Sequence, residues 1–269
     1  MHLRNRIVMV GAGHMGLAII KGLIESNPEL DLHIVERDVG RRNALLGEHH
    51  LPTHESLQLI AGDAVVLAIP PQAFATFAEL ERDKFPPDTP VISVMAGVRA
   101  ATISEALNSN QVVRTIPNTP AEVRRGLTVY YAPATVTPDT LKLTQVILSS
   151  IGTSLRVGEE GMIDPATAIC GGGPAFVSYF ADAFCTFAVD HGFTDDEAIR
   201  LITETFQGTA ELIRTSRRSP DALCREVMTP NGTTERGIAA FDSGRLKPLV
   251  IAALSASTGR SRELSDLDT

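Results

Sequence analysis

The sequence predicts an α/β protein, with a doubly wound parallel sheet over residues 1–160 followed by an all-α region over residues 161–269. Three observations lead there. In the first part, short β-branched apolar runs alternate with helical stretches, as in a parallel sheet covered by helices on both faces. A glycine-rich turn joins the first apolar run to the first helix. After Gly158 the turn signals thin out and long helical segments take over. A chain of 269 residues, 43% hydrophobic and 21% charged, has the make-up of an ordinary globular protein, which excludes disordered and collagen-like classes.

Taken in order, the strands are expected at residues 6–10, 32–36, 64–69, 91–95, 112–116, 127–131 and 154–157. The first helix begins near His14 and runs to about Ser26, where Asn27-Pro28 stops it. Helices follow at 161–169, 174–191, 194–214, 221–227, 233–243 and 246–264, the second bracketed by Pro174 in its first turn and Gly192 just past its end. The stretch from Pro174 to Val189 is apolar on nearly every face, so it must be buried. A module of roughly 105 residues cannot easily enclose such a helix alone, and a second subunit is expected to help cover it.

The net charge of −8 argues against nucleic acid or an anionic membrane as partner, since both select clustered cations. Cys170, Cys185 and Cys224 form neither a disulfide framework nor a C-x-x-C pair, and no metal is expected. The apolar run from Ile7 to Val10 is far shorter than a signal peptide's apolar region or a bilayer span. A reducing cytoplasm is the expected location.

Gly11-Ala12-Gly13-His14-Met15-Gly16 is a G-x-G-x-x-G between a strand and a helix. The first glycine permits a tight turn, the second lets backbone approach a pyrophosphate, and the third lets helix and strand pack closely, while the helix start offers free amides. Glu36, at the end of the next strand, is placed to accept from ribose hydroxyls. That carboxylate favours NADH; Arg37, Arg41 and Arg42 would serve the 2′-phosphate of NADPH. His14 is read as a loop residue facing solvent or the cofactor.

Three further stretches combine Gly, Pro, Asn and Thr beyond what packing demands: residues 114–120 (RTIPNTP), 170–175 (CGGGPA) and 228–235 (MTPNGTTE). The last two lead into helices, where amides and hydroxyls converge as a receptor for a small carboxylate. With the nucleotide motif, the run Ser93-Val-Met-Ala-Gly-Val98, Gly126-Leu-Thr128 and the ending Arg260-Ser-Arg-Glu-Leu264, they resemble pyrroline-5-carboxylate reductase, the last enzyme of proline biosynthesis, over nearly the whole chain.

The resemblance implies a Rossmann-type domain over 1–160 and a helical dimerisation and substrate-binding domain over 161–269, with the helical domains of two subunits intertwined. It implies NADH or NADPH held by Gly11, Gly13, His14, Met15, Gly16, Glu36 and Arg37, by Ala68, Ile69, Pro70 and Pro71 after the third core strand, and by Ala96, Gly97, Asn118 and Pro120 beside the nicotinamide. It places an imine carboxylate on Thr229, Asn231, Gly232, Thr233 and Thr234, with Gly172 and Gly173, and puts Thr234 at the imine nitrogen as the catalytic residue. Three departures stand out. The family usually has Lys where this chain has Pro70, hydroxyl-bearing Ser-Gly-Ser where it has Cys170-Gly171-Gly172, and Gly where it has Asn231. Reduction of a different cyclic imine is therefore an alternative, as is a non-catalytic nucleotide-binding regulator. The related β-hydroxyacid dehydrogenases use a lysine on an early C-terminal helix, and this chain has none between Lys142 and Lys247.

Overall fold

The computed structural model of the chain describes residues 6–267. Its strands are β1 (Ile7–Val10), β2 (Leu32–Val35), β3 (Thr53–His54), β4 (Ala64–Leu67), β5 (Val91–Ser93), β6 (Val112–Ile116), β7 (Gly126–Tyr131) and β8 (Gly152–Arg156). They form one sheet in the order β3-β2-β1-β4-β5-β6-β7-β8. Each expected strand is present. β3 carried no sequence signal, because two residues cannot display a period of two.

Every neighbouring pair is parallel except β6 and β7, which run antiparallel in register Thr115↔Tyr130. The expectation of a parallel sheet is corrected at this one step. A parallel crossover needs roughly a dozen or more residues, and the short link after Ile116 cannot supply it.

Helices α1 (His14–Ser26), α2 (Val39–His49), α3 (Phe74–Glu81), α4 (Ala100–Leu107) and α5 (Pro138–Ser149) cover the two faces. Alternate strand residues point to opposite sides. Ile7, Met9, Ile34 and Val66 pack with Ile19 and Leu23 of α1 and Ile147 of α5. Val8, Val10, Val65 and Leu67 pack with Phe74 and Phe77 of α3 and Ile103 of α4. Because β1 lies between β2 and β4, the chain winds away from it in both directions and a crevice opens at the carboxyl ends of these strands.

Beyond the sheet come α6 (Ile163–Ala166), α7 (Gly173–Asp190), α8 (Asp195–Ser216), α9 (Pro220–Val227), α10 (Thr233–Ser243) and α11 (Leu246–Leu267). The helix expected over 161–169 is not continuous. A 3₁₀ turn, the four residues of α6 and a π turn at Thr167–Gly171 replace it. Pro165 withholds an amide, and the glycines that follow let Gly172 bond back to the Thr167 carbonyl at 2.8 Å.

The chain divides into two compact units, Met1–Pro174 with Ser255–Thr269, and Ala175–Leu254. In the second, Thr194 and Glu197 form a capping box at the start of α8. The rings of Phe184 and Phe206 meet edge-on, 5.7 Å between centroids. Burial there is sparse: of α7, expected to be enclosed, only Ala188 is buried in the single chain, while Tyr179 is 80% and Phe187 64% exposed. Apolar area of that extent marks a surface that another chain covers.

Candidate active site

The crevice at the carboxyl ends of β1, β2, β4 and β5 is a cleft of about 500 Å³, within the range of small-molecule sites. Its floor is the glycine-rich turn, and each glycine there has a distinct physical role. Gly11 has φ +94° and lies so close to β4 that a Cβ would sit 2.6 Å from the Ala68 carbonyl oxygen. Gly16 packs on the same turn, where a Cβ would stand 2.3 Å from the Gly11 carbonyl oxygen and push α1 off the sheet. Gly13 has nothing within 4 Å of a Cβ position, so open space lies above its backbone. It is also the N-cap of α1, with no side-chain cap and no acidic residue in the first turn. The first-turn amides of a thirteen-residue helix are thus left for an anion.

Glu36, only 8% exposed, sits beside this turn. It accepts from the Ala12 amide at 2.8 Å and the Asp38 amide at 2.9 Å. Arg41 pairs with it at 3.4 Å. Two backbone donors fix the carboxylate in place and leave lone pairs for a ribose hydroxyl. The neighbouring arginines divide their tasks. Arg42 donates to the carbonyls of Glu36 and Arg37 at 2.7 and 2.8 Å and so ties down the end of β2. Arg37 and Arg41 line the cleft.

Of the residues expected to hold the cofactor, Gly11, Gly13, His14, Met15, Glu36, Arg37, Ala68, Ile69, Pro70, Pro71 and Ala96 line this single cleft. Gly16 and Gly97 stand behind its wall, while Asn118 and Pro120 lie outside the lining. His14 reaches across to Glu122 at 2.9 Å, which connects the glycine turn to the 3₁₀ turn Thr119–Val123. Asn118 caps the opening of β7, its Oδ1 accepting from the Leu127 amide at 2.9 Å. Glu55, Phe77 and Glu81 also line the cleft, and sequence reasoning did not reach them. Glu55 follows the two-residue strand that had no signal, and the other two sit on α3, to which the sequence analysis assigned no element.

In the second unit, residues 229–234 form a turn leading into α10. The Gly232 amide closes it onto the Thr229 carbonyl at 2.8 Å. A Cβ on Gly232 would meet the Thr229 hydroxyl at 2.2 Å, so only glycine fits. Asn231 has φ +61° after Pro230, the left-handed third position of a type II turn. This accounts for Asn where the family has Gly, because Asn tolerates that conformation better than other side chains do. Asn231→Gly should leave the melting temperature within a degree or two, whereas Asn231→Val should lower it by several degrees, readable in a thermal melt.

Glu235 accepts from the Asn231 amide at 2.7 Å. The amides of Thr233 and Thr234, first and second in α10, remain as free donors. In the first unit, Cys170 is buried and burial pushes its thiol up, so it stays protonated at neutral pH. Gly173 is the first residue of α7, with open space around it. No helix among the described residues is long and apolar enough to cross a membrane.

Comparison with known proteins agrees with the geometry. Residues 160–264 match the pyrroline-5-carboxylate reductase dimerisation family, and residues 6–97 match the family described as NADP oxidoreductase, coenzyme F420-dependent. The pyrroline-5-carboxylate reductase of Pseudomonas aeruginosa is 32% identical over 265 residues, covering 97% of each chain. A solved pyrroline-5-carboxylate reductase from Coxiella burnetii superposes with a TM-score of 0.88 at 30% identity, covering 98% of this chain and 99% of that one. The fold is shared too by a Plasmodium falciparum pyrroline carboxylate reductase solved with NADP bound, with a TM-score of 0.87 at 23% identity over 97% and 98% of the two chains. Full-length similarity at this level, with a nucleotide cleft in the first unit and a dimerisation region after it, establishes that the chain belongs to the pyrroline-5-carboxylate reductase family.

Proposed function

We propose that this protein reduces 1-pyrroline-5-carboxylate to L-proline with NADH or NADPH. The observation that carries the reading is the pairing of a fitted dinucleotide cleft with a threonine-rich helix start in a chain alike along its whole length to that family. The cofactor supplies a hydride to the C=N carbon, and this chain supplies position. Residues 1–160 act as the nucleotide domain and 161–269 as the dimerisation and substrate domain.

The open backbone of Gly13 and the bare start of α1 take the pyrophosphate, and Glu36 takes the adenosine ribose. From the end of β2 to the end of β5 the cleft spans three strand spacings, roughly 14 Å. With the adenosine held at Glu36, Val94, Met95 and Ala96 are the lining residues that would hold the nicotinamide end. Glu36 favours NADH, while Arg37 and Arg41 still admit a 2′-phosphate, so both dinucleotides work.

The substrate carboxylate is held by the amides of Thr233 and Thr234 together with the Thr229 hydroxyl. The Gly232 amide, committed to its turn, serves by shape. A pyrroline nitrogen arrives protonated, so no strong general acid is needed. The Thr234 hydroxyl accepts from the iminium N–H and rotates to donate as the product amine forms. The uncovered faces of α7 and its neighbours pair in an intertwined homodimer, the protein acts in the cytoplasm, and neither nucleic acid nor membrane is a partner.

An assay of dinucleotide oxidation with pyrroline-5-carboxylate, NADH and NADPH in parallel, tests this reading. Oxidation dependent on the imine is expected. A dimer that binds dinucleotide but oxidises none of it with this imine, and none with a six-membered cyclic imine, would show a regulator instead.

A further inference from the structure

The ending Arg260–Leu264 has no task in the reaction just described, yet it belongs to the first unit and its side chains are built into that unit's polar interior. Ser261, 7% exposed, donates to Asp164 Oδ1 at 2.9 Å. The same oxygen accepts from Arg114 Nη2 at 3.4 Å, and Arg114 is 2% exposed on β6. Arg114 Nη1 donates to Glu160 Oε1 at 3.2 Å, and that oxygen also accepts from the Ala100 amide at 2.8 Å. A chain of polar groups, buried at Ser261, Asp164 and Arg114 and half-buried at Glu160, thus runs from α11 through two carboxylates and one guanidinium to the first residue of α4. The residues just before Ala100 are Val94–Val98, whose first three line the nucleotide cleft.

A second contact acts on the same loop. Gly97, with φ +80°, lies against α11 so closely that a Cβ would stand 3.2 Å from Leu264 Cβ and 3.5 Å from the Leu264 carbonyl carbon. The start of the loop is fixed independently by the Thr115 hydroxyl, which donates to the Ser93 carbonyl at 2.8 Å. Ser93, Gly97 and Ala100 are therefore held from three sides, while the cleft-facing residues between them make no part of the clamp.

We infer that Ser261 and Leu264 are positioning residues: by way of Asp164, Arg114 and Glu160, and by contact with Gly97, they set the wall of the cleft at its β5 end. This rests on the placing of the nicotinamide end beside Val94–Ala96. The adenosine end lies three strands away at Glu36, whose carboxylate is held by Ala12, Asp38 and Arg41. The two ends of one ligand can therefore be probed separately.

The test uses the full-length protein and two binding titrations, one with NADPH and one with ADP, which carries only the adenosine and pyrophosphate. Ser261→Ala should weaken NADPH about threefold to tenfold, as the loss of one buried hydrogen bond implies. ADP affinity should not change, and Ser261→Thr, which keeps the hydroxyl, should restore NADPH. Gly97→Ala supplies an independent arm: its Cβ must move the loop or the helix, and it too should weaken NADPH but not ADP. Wild-type NADPH affinity in both Ser261→Ala and Gly97→Ala, or parallel losses for NADPH and ADP, would overturn the positioning role. A wild-type protein that binds neither ligand would instead overturn the reading of the cleft.

Discussion

Gly13→Ala is expected to fold as the wild type does and to lose dinucleotide affinity by more than about tenfold, whereas Gly11→Ala is expected to lose stability as well. The difference follows from what surrounds two glycines in one motif. A methyl group on Gly13 meets nothing within 4 Å, so the protein alone does not resist it. On the proposed reading, the space it fills is the one through which a pyrophosphate reaches the α1 amides, which carry no side-chain cap. At Gly11 the methyl would stand 2.6 Å from a backbone oxygen of Ala68, at φ +94°, which side chains rarely adopt. Neither β1 nor β4 can shift to relieve this, because both are fully paired in the centre of the sheet. A cost of about 3 kcal/mol or more is expected. Thermal melting with and without NADPH separates the two cases. Gly13→Ala should keep its melting point but lose the rise on adding NADPH, and Gly11→Ala should melt lower in both. A normal NADPH-induced rise in Gly13→Ala would remove that glycine from the binding site.

These glycines were legible in the sequence because a strand, a tight turn and a helix in immediate succession leave few ways to arrange the chain. Glu36 was legible for the same reason, being set by the length of one βαβ unit. The buried cluster around Arg114 was not. Its carboxylate partners lie 46 and 50 residues away, and Ser261 lies 97 residues from Asp164. No local period or cap couples such positions, and Arg114 within a β-branched strand looks like any polar interruption. Asn231 was misleading as a sequence departure and plain as a backbone angle: φ +61° makes it a conservative replacement for glycine. Pro70 is different in kind. It occupies the N-cap of the 3₁₀ turn Pro71–Ala73 on the cleft wall, and nothing in the structure explains its choice over lysine.

Thr234→Ala is expected to lower kcat/KM for the imine by more than about tenfold while leaving dinucleotide binding and melting temperature unchanged, since on the proposed reading one positioned hydrogen-bonding group is removed from the reacting atoms. The fold tolerates the change because the turn does not depend on this hydroxyl. Gly232 closes onto the Thr229 carbonyl through backbone, and Glu235 satisfies the Asn231 amide. Thr234 is half-buried at the second position of α10, and neighbouring Thr233 is exposed. Thr233→Ala keeps its backbone amide and should therefore cost less. Thr234→Ser keeps a hydroxyl that both accepts and donates and should retain most activity, whereas Thr234→Val, equal in shape but without the oxygen, should behave as Thr234→Ala does. A hydroxyl that follows the nitrogen from iminium to amine acts in the transition state, so the loss should appear in kcat and not only in KM. Steady-state kinetics with saturating dinucleotide measures both. Unchanged kinetics in Thr234→Ala would exclude Thr234 from the reaction. A loss confined to KM would assign it to the substrate carboxylate and leave orientation by the turn as the whole of the chain's contribution at the imine.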